Sequence, residues 1–136
     1  MQTFLPDKSF VKSAYYLDNR RLGKQRVECL QILKALTEPN YGWQNHPAVK
    51  MWRGYEHSLL NYSLFICDEW IKRGYKDTCR DKMINIELPK ISKEPFWLGD
   101  EKFHASHRAN LKRKDPEFYS KWAWDEPDYL PYVWPV

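Results

Sequence analysis

The stretch LDNRRLGKQRVECLQILKAL, residues 17–36, decides the fold because its apolar residues recur with helical periodicity. At 100° per residue these side chains share one broad face, and most of the charged side chains lie opposite. We expect a helix from Ser13 to Leu36, in which Gly23 lets another backbone or a ligand approach closely. The apolar face comprises Leu22, Cys29, Leu30, Ile32, Leu33 and Leu36.

The same stretch carries Arg20, Arg21, Lys24 and Arg26 within seven residues, and Glu28 is the first acidic residue after them. This charged stretch has three interpretations. It could be a solvated helix face with a Lys24–Glu28 pair, a phosphate-binding surface, or the basic wall of an active site with one carboxylate. An i,i+4 pair stabilises a helix by only a few tenths of a kcal/mol. Arg26 falls at the edge of the apolar face, where a half-buried guanidinium needs an anion. We therefore favour a phosphate-binding helix with Glu28 available for acid–base chemistry.

Two further principal helices are expected, from Pro47 to Arg73 and from Asp100 to Arg113. Gly74 is a natural stop for the first of these. The residues between them mix charges with Pro and Gly, which predicts an irregular connection over 75–99. After the last helix, the sequence DPEF predicts a short turn with Asp115 as its cap and Pro116 at its first helical position.

The prediction for the whole chain is a mainly α fold. Residues 1–136 would form a compact single domain of three principal helices with long irregular connections. The Pro- and aromatic-rich tail PDYLPYVWPV would pack extended across the helices. Its aromatic residues are core residues or exposed platforms for a base, and their spacing does not separate the two readings.

A second basic segment, FHASHRANLKRKDP, carries imidazole, guanidinium and ammonium groups on one predicted helix. Phosphate contacts and a basic solubilising face explain it about equally well. Two His one turn apart can share a metal ion, but no third ligand stands at a diagnostic spacing, so we expect no metal site. The candidate phosphate-binding residues are His104, His107, Arg108, Lys112, Arg113 and Lys114.

His46 stands immediately before a helix that begins with proline. It is a helix cap or a half-buried histidine, or it contacts a phosphate at the helix N-terminus. Cys29, Cys67 and Cys79 form no CxxC motif, so a cytoplasmic protein with reduced thiols is expected. No apolar run approaches the roughly 20 residues of a membrane span, so no membrane partner is expected. No P-loop, GxGxxG, GxSxG or HExxH motif occurs.

The order of these segments resembles the pyrimidine-dimer DNA glycosylases of the phage endonuclease V type. The likeness rests on EWIKRGYKDT at 69–78, on NHP at 45–47 with MWRGYE after it, and on FHASHRANLKRKDPEFYSKW. The chain is still more similar to a small bacterial branch of that family. The recurring segments of this branch are RLGKQRVE with QIL, NHPAV with MW, SHR with RKDP, and LPYVWP.

The resemblance implies a small helical domain that attacks the deoxyribose C1′ with its N-terminal amine. The family forms a Schiff base, releases the base and cuts the strand by β-elimination, without a metal or other cofactor. A glutamate of the first helix assists, flanked by arginines. The implied partner is double-stranded DNA, and the implied state is a monomer.

Carried over to this chain, the amine belongs to Met1, because the large residue Gln2 normally leaves the initiator in place. In one register the family's glutamate falls on Glu28, and in another it falls on Arg20 or Arg21. Two other functions stay open. One is a non-catalytic nucleic-acid-binding module of the same fold, and the other is an enzyme that acts on another modified base or on a nucleotide.

Overall fold

Seven helices and no strand make up the structure, a computed structural model that describes residues 1–136. The predicted mainly α fold is confirmed. Three helices have 19, 17 and 14 residues, and the other four have seven or fewer. In chain order they are α1 (Phe10–Tyr16), α2 (Asn19–Thr37), α3 (Pro47–Lys50), α4 (Glu56–Lys72), α5 (Cys79–Ile84), α6 (Glu101–Lys114) and α7 (Pro116–Tyr119).

The first predicted helix, Ser13 to Leu36, is interrupted at Leu17 and Asp18, both of which are extended. The Asp18 carboxylate accepts a hydrogen bond from the backbone N–H of Arg21 and so caps α2. Such a cap stabilises a helix by about 1 kcal/mol. A single helix across this stretch is therefore wrong, because an aspartate inside the periodic run starts a new helix.

The second predicted helix, Pro47 to Arg73, is also wrong as a continuous element, since α3 and α4 are separated by a turn. Gly54 in this turn has φ +89°, in the left-handed region that favours glycine. The carboxylate of Glu56 accepts the Gly54 N–H at 2.7 Å. Gly74, with φ +96°, follows the end of α4 as predicted.

The third predicted helix is confirmed as α6, which begins at Glu101 and ends at Lys114. Asp115 caps α7 by accepting a hydrogen bond from the third residue of that helix, and Pro116 is its first residue, as expected. The connection over 75–99 is mostly irregular, but it contains the short helix α5.

Helix α2 packs closely against α4 at Gly23. A Cβ atom on this residue would lie 2.8 Å from the ring of Trp70, which belongs to α4. The ring is stacked on Tyr75 with their centroids 4.3 Å apart. The close neighbour expected at Gly23 is therefore an aromatic side chain of the protein itself.

Two segments without helical structure pack on the helices. Residues 2–6 are buried although none of them lies in a helix. The tail forms no helix after α7, and its side chains Tyr132 and Trp134 pack against the core. The first of these segments and the tail both contribute to the cleft described next.

Candidate active site at the amino-terminal segment

The amino-terminal segment, residues 1–6, is held by side chains rather than by a neighbouring strand. Gln25 of α2, 1% exposed, accepts the Phe4 N–H at 2.8 Å and donates to the Gln2 carbonyl at 2.6 Å. Tyr62 of α4 donates to the Phe4 carbonyl at 2.5 Å. These bonds satisfy backbone groups that a buried extended segment would otherwise leave unpaired.

Two histidines of α6 fix Leu5 in the same way. The Nδ1 atom of His107 accepts the Leu5 N–H at 2.9 Å, and Nδ1 of His104 donates to the Leu5 carbonyl at 2.7 Å. The Nε2 atom of His104 accepts the Gly99 N–H at 2.9 Å, which assigns its proton to Nδ1. Burial lowers the pKa of both rings, to about 3 for His107, so both are neutral at pH 7. Neither ring lines the cleft, and their bonds hold the backbone rather than a phosphate.

The amino-terminal segment lines a cleft of about 370 Å³. The lining brings together the first residue of the chain, one carboxylate, four cations and three aromatic side chains. Residues from the start of α2, the end of α6 and the tail all contribute. The lining residues are Met1, Gln2, Phe4, Arg20, Arg21, Lys24, Glu28, Lys114, Tyr132 and Trp134.

Glu28 supplies the carboxylate of this cleft, and its side chain is 13% exposed. One oxygen accepts the backbone N–H of Gln2 at 3.3 Å, and the other lies 3.9 Å from Nζ of Lys24. The lysine is 76% exposed, so this pair stabilises little. Because Gln2 follows Met1 in the chain, the hydrogen bond holds the first residue near the carboxylate, while the α-amine itself forms no ion pair with Glu28.

The cations at the cleft outnumber the acid. Arg20 is exposed and makes no ion pair, and Arg21 pairs only with the aspartate that caps its own helix. Lys24 and Lys114 are exposed at the same cleft. The resulting excess of positive charge attracts a polyanion such as a nucleic-acid backbone.

His46 lies beside this cleft and caps α3. Its Nδ1 atom accepts the Ala48 N–H at 3.0 Å, and its ring meets Trp134 edge-on with the centroids 6.2 Å apart. Burial lowers the pKa of His46, the positive amine of Met1 lowers it further, and Glu28 opposes this. The cap is thus the role that the structure gives to His46, next to the amine and the carboxylate.

Arg26 is not in the cleft. Its guanidinium lies 2.6 Å from the carboxylate of Asp77, whose side chain is fully buried, and 4.5 Å from the ring centre of Trp70. Burial alone would raise the pKa of the Asp77 carboxyl. Its hydrogen bonds, of which the one from Arg26 has the largest effect, outweigh burial and lower the pKa. The anion that a half-buried Arg26 requires is therefore a side chain of the protein, and Arg26 is not a candidate for phosphate binding.

Arg108 of α6 is also engaged within the protein. It pairs with the carboxylates of Glu101 and Glu126 and donates to the Pro6 carbonyl at 2.8 Å. Its side chain is 11% exposed. These contacts join α6 to the tail and to the amino-terminal segment, and they leave Arg108 outside the cleft.

The last three basic residues of α6 divide into two groups. Lys112 donates to two backbone carbonyls of the tail region, at 3.0 and 2.5 Å, and Arg113 donates to a third at 2.7 Å. Lys114 alone lines the cleft. The structure thus brings one of the six candidates of this segment to the site.

Sequence reasoning left part of the site out. Gln25 carried a usable signal, because it is a polar residue on the apolar face, three positions after Leu22 and four before Cys29. The sequence alone gives no basis for choosing among the aromatic residues of the tail. The lining residues that were not anticipated are Gln2, Phe4, Tyr132 and Trp134.

The structure contains no group of three His, Cys, Asp or Glu side chains that could hold a metal ion. The three cysteines are buried and unpaired. No helix combines the length and the apolar character that crossing a membrane requires. The groups that the cleft offers to a substrate are an amine, a carboxylate, an amide, cations and aromatic rings.

Comparison with known proteins gives one match. A family model described as pyrimidine dimer DNA glycosylase matches residues 1–83, which include the amino-terminal segment, α2 and α4. The remaining lining residues, Lys114, Tyr132 and Trp134, lie beyond the matched range. No curated protein and no solved structure gives a significant match.

Proposed function

The chain belongs to the pyrimidine dimer DNA glycosylase family, and we propose that it releases a damaged or modified base from double-stranded DNA with its N-terminal amine. We further propose that it then cleaves the strand by β-elimination. The observation that carries both steps is the position of Met1 and Glu28 in one cation-lined cleft. The hydrogen bond from the Gln2 N–H to Glu28 supports this pairing.

The first step requires an amine that attacks C1′ of the deoxyribose. The lone pair of the Met1 nitrogen forms the N–C1′ bond, while the bond from C1′ to the base breaks and its electron pair leaves with the base. The nitrogen then loses a proton, which Glu28 accepts and passes to the departing base. The same carboxylate stabilises the positive charge that develops on the sugar.

The second step uses the imine that forms when the sugar ring opens. An imine between the Met1 nitrogen and C1′ makes the hydrogen on C2′ acidic. Glu28 takes this proton, and the C3′–O bond breaks with its electron pair on the phosphate. Water then hydrolyses the imine and frees the amine for another cycle.

The charges at the rim support DNA binding. Arg20, Arg21, Lys24 and Lys114 would hold phosphates on either side of the target nucleotide. The C1′ atom is not accessible within a stacked duplex, so the protein must bend the DNA and expose one nucleotide. A cleft of about 370 Å³ is within the range of sites that take a small molecule, which suits one exposed nucleotide.

Reductive trapping tests the nucleophile. The protein is incubated with an abasic-site duplex and borohydride, and a covalent adduct is expected at Met1 by peptide mass spectrometry. Intact mass establishes whether Met1 is retained, and acetylation of the amine should abolish the adduct. Salt-sensitive duplex binding without any adduct would instead favour a non-catalytic nucleic-acid-binding module.

Replacement of the carboxylate tests the second group. Glu28→Gln should slow base release and strand cleavage by about 10² to 10⁴-fold, which is the usual contribution of acid–base catalysis. Glu38→Gln is the matched control, because Glu38 is an exposed glutamate beyond the other end of α2. Unchanged rates in Glu28→Gln would remove this residue from the mechanism and favour the alternative register.

A further inference from the structure

One polar group of the cleft has no partner in the protein. The Nε2 atom of Gln2 is buried and reaches no hydrogen-bond acceptor of the chain. The residue as a whole is 7% exposed and lines the cleft immediately after Met1. A buried donor that stays unsatisfied costs about 1–3 kcal/mol, so such a group in a binding cleft calls for an acceptor from outside the chain.

The orientation of this amide is fixed. The Oε1 atom of Gln2 accepts the backbone N–H of Thr3 at 2.9 Å. A flipped amide would set its NH₂ group against that N–H, donor against donor, so the NH₂ group is the end left free. The backbone of Gln2 is held as well, through its carbonyl by Gln25 and through its N–H by Glu28.

The surroundings of the free amide are aromatic. Tyr132 and Trp134 line the same cleft, with their ring centroids 5.7 Å apart. Burial raises the pKa of Tyr132 to about 12, and among the groups that oppose this is the amide of Gln2. The two side chains are therefore neighbours, but no hydrogen bond of good geometry joins them, and the NH₂ group stays unpaired.

We propose that Nε2 of Gln2 donates a hydrogen bond to the O2 carbonyl oxygen of the pyrimidine base that is released. This inference rests on the proposed function. In a pyrimidine nucleotide, N1 carries the sugar and C2=O is adjacent to N1, so O2 lies close to the C1′ atom that the Met1 amine attacks. The donor belongs to the residue next to that amine and lines the same cleft, so both groups face the nucleotide that occupies it.

The hydrogen bond assists the departure of the base. When the C1′–N1 bond breaks, its electron pair stays on the base and the negative charge spreads onto O2. The amide donor stabilises that charge without giving up its own proton, and the proton that neutralises the base is the one lost by the amine through Glu28. Gln2 would thus select a base with an acceptor next to its glycosidic nitrogen and speed its release.

A phosphate is a poorer occupant for this amide. The cations suited to phosphates are Arg20, Lys24 and Lys114, all of them exposed. The amide is neutral and buried beside Tyr132 in a cleft that Trp134 also lines, which is a usual composition of a site for a flat heterocycle.

Two variants of Gln2 test the proposal. Gln2→Glu keeps the oxygen that binds the Thr3 N–H and removes the donor, and Gln2→Met removes both polar atoms at similar length. Each is assayed on a duplex with one cyclobutane pyrimidine dimer and on the same duplex with an abasic site, which has no base to recognise. We expect the ratio of the dimer rate to the abasic rate to fall about 100-fold in both variants, as when one oxyanion donor is lost.

The outcomes separate this inference from the proposed function. If the wild-type chain gives no adduct with the abasic duplex, the proposed function fails. If the wild type is active but the ratio is unchanged in both variants, or both substrates slow equally, the role of Gln2 at O2 is overturned. Thermal unfolding and intact mass check that each variant is folded and keeps Met1. Should Gln2→Met not fold, Gln2→Glu decides alone, because it preserves the contact with Thr3.

Discussion

The two basic segments of this chain look alike in sequence and differ in use. Around the start of α2, Arg20 and Lys24 project exposed at the cleft. Along α6, Arg108 and Lys112 hold carboxylates and carbonyls of the protein. The number of positive charges is similar in both segments, so charge density alone does not identify a phosphate-binding surface.

The difference lies in the acceptors that each segment can reach. The acidic segment 115–136 folds back on α6 and supplies Glu126 and several carbonyl groups. At the cleft the one acid that α2 presents is Glu28, which also accepts the Gln2 N–H. A basic helix therefore stays available to a ligand only where the rest of the chain offers it too few anions.

The largest expected effect is on the stability that α6 provides. Arg108→Met should lower the free energy of unfolding by about 3 kcal/mol, because it leaves the half-buried Glu126 without its cation. Urea denaturation followed by circular dichroism measures this. A change below about 1 kcal/mol would mean that Arg108 is not a structural residue, and the contrast between the two segments would collapse.

A second test uses pH. Burial gives His107 a folded-state pKa of about 3, below the unfolded value near 6.5. Below pH 6.5 His107 is protonated in the unfolded chain but stays neutral in the folded chain. The free energy of unfolding therefore falls as the pH is lowered. His107 alone should contribute a slope that approaches 1.4 kcal/mol per pH unit between about pH 6 and 5, above the reference pKa values of Asp and Glu.

His107→Gln is the control for this slope. The amide oxygen of glutamine can accept the Leu5 N–H, and the side chain does not titrate. His104 shifts in the same direction, so the variant should flatten the slope in part. A slope that is the same in the variant and the wild type would show that His107 is not buried in its neutral form.

The smallest effect compares two lysines of α6 that are two positions apart. Lys114→Gln should weaken duplex binding several-fold and reduce the slope of log K against log salt by about 0.9, the value of one phosphate contact. Lys112→Gln should lower the melting temperature through loss of its two carbonyl contacts and leave the salt slope as it is. Equal changes in the salt slope would place both lysines on DNA.

The sequence predicts the helical class and α6 well, because periodicity and caps are local signals. It places Glu28 on one face with Arg20, Arg21 and Lys24 for the same reason. It does not predict the break at Leu17 and Asp18. An aspartate inside a periodic run acts as a cap only where the chain turns, and the sequence pattern does not show that turn. It cannot assign Arg26 or Arg108, because Asp77 and Glu126 lie 51 and 18 residues away along the chain.

The hold of His104 and His107 on Leu5 has a consequence for how this protein is made. These anchors lie 99 and 102 residues further along the chain than the residue they grip. During synthesis the first residues leave the ribosome long before the anchors do, and the backbone groups of Leu5 lack both partners until α6 is complete. A nascent chain, or a fragment that stops at residue 83, would thus hold its amino-terminal segment through Gln25, Glu28 and Tyr62 without the two histidines, and its cleft would lack the wall that Lys114, Tyr132 and Trp134 supply.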